Sequence, residues 1–314
     1  VYVDAVTRQP DDGADRVDHG TGRVPRVAAV VTAFRPGSSL PLVCESVVEQ
    51  VDVLVVVDDG SPADDGSTQR LLDACRALGA HVVRHDANEG IGAALNTGTR
   101  RATELLDGEG YLLTLDQDST VPPGYVASLV EAGRAAGRHG LRVGLVGPAT
   151  VEGIGSMAAR RTPAGDVVGD EPIQSGLLVP LAALDALGGF DEGLFIDGVD
   201  SDFYLRARAS GWVTVVAPGT HLGHRLGADH EVGGVHLTHA AAFRYYYIAR
   251  NRVLLLRRYA RTAPAWCTRA VLKDLRHLAV TTLAVPGRGA RWRATLAGLR
   301  DGVRGVTGRR PGLP

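Results

Sequence analysis

Val53-Leu54-Val55-Val56-Val57 stops abruptly at Asp58-Asp59-Gly60-Ser61-Pro62. A run this rich in β-branched side chains suits a strand buried on both faces, and the acidic turn behind it marks where that strand ends. The pattern recurs along the chain. Val27-Ala28-Ala29-Val30-Val31-Thr32 runs into Arg35-Pro36-Gly37, and Tyr111-Leu112-Leu113-Thr114-Leu115 runs into Asp116-Gln117-Asp118-Ser119. His81-Val82-Val83-Arg84 is a further strand. Between these runs, residues 40–50, 68–78 and 92–106 carry helical spacing, as with Leu71, Leu72, Cys75 and Leu78 on one face. Apolar strands alternating with amphipathic helices predict an α/β fold, a mainly parallel central sheet flanked by helices. In such sheets ligands bind beyond the carboxyl ends of the strands. The polar residues collect there: Thr32, Asp58 with Asp59, residues 85–88, and Asp116 with Asp118.

Asp116 and Asp118 constrain function most. Two carboxylates at the end of a buried strand are costly if left unpaired, and a hard divalent cation is their natural partner. Their alternate spacing puts both on one side of an extended chain, with Gln117 on the other. A capped turn before Pro122-Pro123 is the plainer reading. A dinucleotide-binding site would need G-x-G-x-x-G after the first strand. That junction reads Thr32-Ala33-Phe34-Arg35-Pro36-Gly37 and lacks it.

The three cysteines, Cys44, Cys75 and Cys267, show neither metal-ligand spacing nor a disulfide framework, which fits a reducing cytoplasm. No apolar run approaches the roughly 20 residues that span a bilayer, and the N-terminus lacks a signal-peptide pattern. Residues 1–24, polar and rich in Asp and Gly, read as a disordered tail. The net charge of -1 hides an asymmetry: from Arg244 to Pro314, 15 Arg and 1 Lys stand against 2 Asp.

The ordered motifs VTAF, VVVDDGS, NEGIGAALNTG, LDQDS, GGFDEGLFIDGVDSDFYLRARASGW and HRLG resemble family 2 glycosyltransferases of the GT-A fold. LDQDS and the FID-x-VD-x-x-x-x-LR-x-R block look most like bacterial rhamnosyltransferases. Each motif alone is weak; six in order, across residues 25–260, are not. The resemblance implies a catalytic domain over residues 25–240, with a nucleotide-sugar half to about residue 120 and an acceptor half from 121 onward. A basic helical C-terminal region, residues 241–314, follows.

Carried over residue by residue, the resemblance places Thr32 and Phe34 against a nucleotide base and gives Asp59 the base imide N–H. A turn with an Asx cap is the plainer reading of Asp58 and Asp59. Asn88, Gly90 and Gly92 match a loop that approaches the donor; Asn88 also suits a helix cap. Asp118 becomes the metal ligand and Asp116 the ribose or sugar contact beside it, with Mg²⁺ or Mn²⁺ as cofactor. His224 completes the metal site, with His221 as its rival, and Arg225 reaches the diphosphate. Asp200 aligns with the catalytic base, Asp202 with the acidic position after it, and Asp197 is the rival base. Three Asp opening a helix would equally suit its dipole without any catalysis.

The implied activity is inverting, metal-dependent transfer from a pyrimidine-diphosphate sugar, dTDP-L-rhamnose first, to a glycan or lipid-linked glycan of a bacterial envelope. A UDP-sugar donor is the alternative. A sugar nucleotidyltransferase would need a Gly-rich basic loop after the first strand, and this chain has one Arg there. A non-catalytic sugar-nucleotide binder would fit loss of Asp118 or Asp200, and both are present. Arg244-Tyr245-Tyr246-Tyr247 followed by Arg250-Asn251 resembles a family helix near the active site. Beyond it, apolar and basic residues alternate. That composition suits either peripheral contact with an anionic membrane or a helical pair packed on the catalytic domain; no nucleic-acid motif supports a third reading.

Overall fold

In a computed structural model of the chain, the structure describes residues 25–63, 65–224, 228–232, 235–239 and 241–313. The tail expected at residues 1–24 and Arg225 lie outside these, as does the side chain of His224.

The first half alternates as its sequence predicts. It runs β1 (Val27–Ala33), α1 (Ser39–Val47), β2 (Val53–Asp58), α2 (Ser67–Ala77), β3 (His81–Arg84), α3 (Ile91–Leu105) and β4 (Tyr111–Asp116). Then come β5 (Ser119–Thr120), α4 (Tyr125–Arg138), β6 (Val143–Val151), β7 (Gly155–Ser156), β8 (Ala158–Arg161), β9 (Val167–Gly169) and β10 (Leu177–Pro180). α5 (Leu181–Leu187), α6 (Val199–Ala209), β11 (Val213–His224), the hairpin β12 (Ala228–Val232) with β13 (Val235–His239), α7 (Arg244–Tyr259), α8 (Pro264–Ala284) and α9 (Arg288–Val303) complete it.

The main sheet has the order β3-β2-β1-β4-β10-β6-β11-β9-β8. β3, β2, β1 and β4 are mutually parallel, which brings their carboxyl ends to one edge. β10 runs antiparallel to both β4 and β6, and β9 antiparallel to β11, so the sheet is mixed although most strands share one direction. Alternate residues of each central strand enter opposite cores. Val55 and Val57 pack under α3, α5 and α6, whereas Leu54 and Val56 pack under α1, α2 and α4. Each such side chain, taken fully out of water, contributes on the order of 1.5–3 kcal/mol.

The C-terminal helices share this core rather than forming a separate body. Leu255, Tyr259, Trp266 and Ala270 join the same cluster as Phe203 and Leu205 of α6. The composition change near residue 240 is therefore not a break in the packing. All three cysteines are free and buried. No helix among the described residues is long and apolar enough to cross a membrane.

Candidate active site

Strand register assembles the first wall of the site. Thr32 lies between Val57 on β2 and Asp116 on β4, and Ala33 sits opposite Asp58. Just beyond, the Gln117 side chain clamps the two strand ends: its Oε1 accepts from the Phe34 N–H at 2.9 Å and its Nε2 donates to the Phe34 carbonyl at 3.3 Å. Phe34 is thereby held at the rim, half-buried.

The two aspartates that end β2 have different surroundings. Asp58 is fully buried, accepts from the Ser61 hydroxyl at 2.5 Å and faces the Arg84 guanidinium at 2.8 Å. It ties β2 to β3. Asp59 accepts at Oδ1 from His85 and from the Glu89 N–H, both at 2.9 Å, and at Oδ2 from the Gly90 N–H at 2.8 Å. With three donors already on it, the carboxylate retains acceptor capacity for one more.

Asn88 bends the same loop, accepting from the Gly90 N–H at 3.1 Å. Gly90 has φ +100°, and a Cβ there would meet the Phe195 carbonyl oxygen at 2.5 Å; a Cβ on Gly92 would meet the Asp191 carbonyl at 2.9 Å. Both glycines therefore let this turn press against residues 191–195, and the Ile91 N–H donates to the Phe195 carbonyl at 2.8 Å.

At the end of β4, burial and the neighbouring Asp118 push the Asp116 carboxyl up to about 7, with Arg244 opposing. Ser175 accepts from the Asp116 backbone N–H at 2.9 Å, so residues 174–176 border the pair. β5 pairs with β11 such that Ser119 lies opposite His224. The backbone thus brings His224 to the neighbour of Asp118. His221 is elsewhere, its ring 3.0 Å from the Thr150 hydroxyl on β6. Among the described residues no cluster of three or more His, Cys, Asp or Glu could hold a metal. Two adjacent carboxylates are nonetheless the donor set Mg²⁺ uses when phosphate oxygens and water complete its shell.

The second wall is the loop before α6. Phe195 and Asp197 take φ of +64° and +65°, and Gly198 follows at +89°. Left-handed backbone at non-glycine residues costs about 1–3 kcal/mol each, and the compensation comes from α7. Asn251 donates through Nδ2 to the carbonyls of Leu194, Ile196 and Asp197 at 2.8, 2.8 and 2.6 Å. Arg250, wholly buried, donates to the carbonyls of Gly193, Leu194 and Gly308. The Arg250-Asn251 pair is a clamp on the loop, which explains why a helix so distant in sequence belongs to the site.

The three aspartates of this block separate clearly. Asp197 is held by Arg244 through two contacts, at 2.5 and 3.1 Å. Asp202 is completely buried and accepts from Arg206 at 2.7 Å, Arg258 at 2.5 Å and Tyr259 at 2.7 Å. Grouped with the catalytic aspartates but expected to orient or support them, it is an anchor between α6 and α7, with no exposed oxygen for a substrate. Asp200 is half-buried, and its one hydrogen bond among the described residues is from the Ser201 N–H at 2.8 Å. Burial, then Glu171, push its carboxyl up to about 7, with Asp197 and Asp116 adding to the rise.

Two residues that border the site were not singled out from sequence. Arg244 opens α7 and faces Asp197, Asp116 and Asp200 together. Its signal was its place ahead of the tyrosine run. Glu171 accepts from the Ser201 hydroxyl and, at 2.7 Å, from the Trp266 indole N–H. It lies in an irregular loop with no local pattern to mark it. The assembled site thus has an acid pair at one wall, a lone raised carboxylate at the other, and a guanidinium between them.

Residues 28–141 match the family described as Glycosyl transferase family 2. A dTDP-rhamnosyl transferase, RfbF of Shigella flexneri, is 26% identical over 308 residues, spanning 90% of this chain and 97% of that protein. Among solved structures, GalNAc-T7, crystallised with UDP, GalNAc and Mn²⁺, matches with a TM-score of 0.59 at 15% identity, over 90% of this chain and 57% of that one. TarS of S. aureus matches with a TM-score of 0.56 at 15% identity, over 90% of this chain and 49% of that one. The chain spans about half the length of these two solved proteins, and the likeness is one of fold.

Proposed function

We propose that the chain is a family 2 glycosyltransferase of the GT-A fold that transfers a sugar with inversion from dTDP-L-rhamnose to a hydroxyl of a glycan or lipid-linked glycan, a reading that the family match and the relatives support. The observation that carries the reading is the opposition of Asp116 and Asp118 to a single hydrogen-bond-poor carboxylate, Asp200, whose pKa is raised to about 7. The RfbF relative, a dTDP-rhamnosyl transferase, supports the donor assignment.

Asp118, with Asp116 beside it and His224 opposite Ser119, would hold Mg²⁺ or Mn²⁺, which when bound supplies Lewis-acid stabilisation to the departing nucleoside diphosphate. Asp59 offers its remaining acceptor site to the imide N–H of a pyrimidine base, with Thr32 and Phe34 alongside. Asn88, Gly90 and Gly92 shape the loop that fixes Asp59. Arg244 supplies positive charge to the diphosphate side and restrains Asp197; Arg225, on the resemblance alone, would reach the diphosphate.

A sugar hydroxyl is a weak nucleophile at neutral pH. Asp200 accepts its proton as the acceptor oxygen bonds to the anomeric carbon and the bond to the diphosphate oxygen breaks. A base near pH 7 combines a usable ionised fraction with driving force for proton transfer. Asp197 serves less well as the base, because the Arg244 ion pair occupies both its oxygens.

A panel of dTDP- and UDP-sugars with Mn²⁺ tests the reading. Release of dTDP from dTDP-L-rhamnose above every other donor is expected. Preference for a UDP-sugar would replace the donor, and failure of every donor to bind would end the enzyme reading.

A further inference from the structure

Helices α8 and α9 carry an apolar surface that no other described residue covers. On α9, Trp292, Leu296, Leu299 and Val303 stand at i, i+4, i+7 and i+11, a single stripe, with Val303 68% exposed. On α8, Leu272, Leu275 and Leu283 share one face and are 61%, 58% and 89% exposed. The opposite faces are the packed ones. α9 lies so close to α7 that a Cβ on Gly298 would come 2.2 Å from the Tyr246 carbonyl oxygen. α8 meets α7 through Asp274 on Arg252 at 2.6 Å and His277 on Tyr245 at 3.1 Å. Both stripes therefore turn away from α7.

The corner between the two helices is fixed. Arg291 donates to the carbonyls of Thr281, Val285 and Pro286 at 2.6, 2.5 and 2.6 Å, satisfying the end of α8 from the first turn of α9. The stripes thus move as one unit.

Charge identifies the occupant. Arg269, Lys273 and Arg276 flank the α8 stripe, and Arg293 and Arg304 flank that of α9; all five are exposed. The acidic residues of these two helices, Asp274 and Asp301, are held by Arg252 and by Tyr246 with Arg300. The face presents leucine, tryptophan and cations with no exposed counter-charge of its own. A second copy of the same face would repel it, whereas an anionic lipid surface complements both its apolar stripe and its cations.

We propose that the α8–α9 face docks on an anionic bilayer, with Leu283 and Leu296 entering the headgroup boundary and Arg276 and Arg293 contacting lipid phosphates. The inference goes beyond sugar transfer and does not depend on it. Because α7 joins α9 to the loop that leads into Asp200 on α6, docking would fix the site relative to the membrane plane.

The test is sedimentation of the full chain with vesicles. Binding to phosphatidylglycerol-containing vesicles, and little to pure phosphatidylcholine, is expected. It should come with a blue shift in emission from Trp292, since Trp212 and Trp266 are already buried. Leu283→Gln with Leu296→Gln should lower the partition coefficient about 100-fold, roughly tenfold per leucine withdrawn from lipid. Arg276→Gln with Arg293→Gln should lower it about 25-fold, near fivefold per cation. These exposed positions leave the core intact, which an unchanged melting temperature verifies. Absence of binding to the anionic vesicles, or binding that the leucine pair leaves unchanged, overturns the proposal. So does a dimer in light scattering that the leucine pair converts to monomer, which would assign the face to a second copy.

Discussion

Replacing Asp200 with Asn should make the protein more stable while removing its transfer activity. The carboxyl rises from its ordinary 3.8 to about 7, so the fold disfavours its ionised form. At about 1.4 kcal/mol per pH unit, the ionised group costs the native state up to roughly 4 kcal/mol above pH 7. Solvent at the open side of the half-buried site brings this nearer about 2 kcal/mol. A raised carboxylate pKa means the native state binds the proton more tightly than the unfolded chain. The penalty is therefore absent below pH 3.8, grows as pH climbs, and is complete above about 7. Asn, never charged, carries none of it. Urea titrations should show Asp200→Asn equal to wild type near pH 3.5 and more stable by about 2 kcal/mol at pH 8, with an unchanged slope. Transfer should fall by about 10²–10⁴-fold, the range for loss of a positioned base, with donor KM little altered. In the wild type, activity should decline as pH drops through about 7. Lower stability of the variant at pH 8, or a variant that loses donor affinity instead of turnover, would refute the placement of Asp200.

Arg250→Met should destabilise the fold by about 3 kcal/mol, since it removes the guanidinium donors to the carbonyls of residues 193, 194 and 308 and leaves only the first two with another donor; chemical denaturation checks this. Arg244→Gln should raise donor KM and move the acid limb of the pH–activity profile upward, because the guanidinium opposes the rise in the Asp116 pKa. An unmoved limb would separate Arg244 from Asp116. Asp59→Ala should abolish detectable dTDP binding by calorimetry and cost about 1–3 kcal/mol of stability through the stranded Glu89 N–H.

The parallel half of the sheet was legible because strands buried on both faces must be continuous apolar runs, as residues 53–57 are. The direction of β10 was not. Leu177-Leu178-Val179 is equally apolar whichever way it pairs, and direction is fixed by contacts with β4 and β6 far away in sequence. Asp116, Asp118 and Asp200 stand out in the ordered motifs, and the resemblance already set Asp200 apart from Asp202. The physical cause of that difference was not legible: the arrival of Arg258 and Tyr259 from α7 seals Asp202 while Asp200 stays open. Glu171 escaped notice for the same reason, its partners being Ser201 and Trp266.

The account rests on a nucleoside diphosphate held beside Asp118 with a divalent cation. Calorimetric titration of dTDP into the full chain, with Mn²⁺ and then with chelator, tests this most directly. The account predicts saturable binding with Mn²⁺ that weakens at least tenfold on chelation, and equally in Asp118→Asn with Mn²⁺ present. Binding indifferent to both metal and Asp118, or no binding of any nucleoside diphosphate, would contradict it.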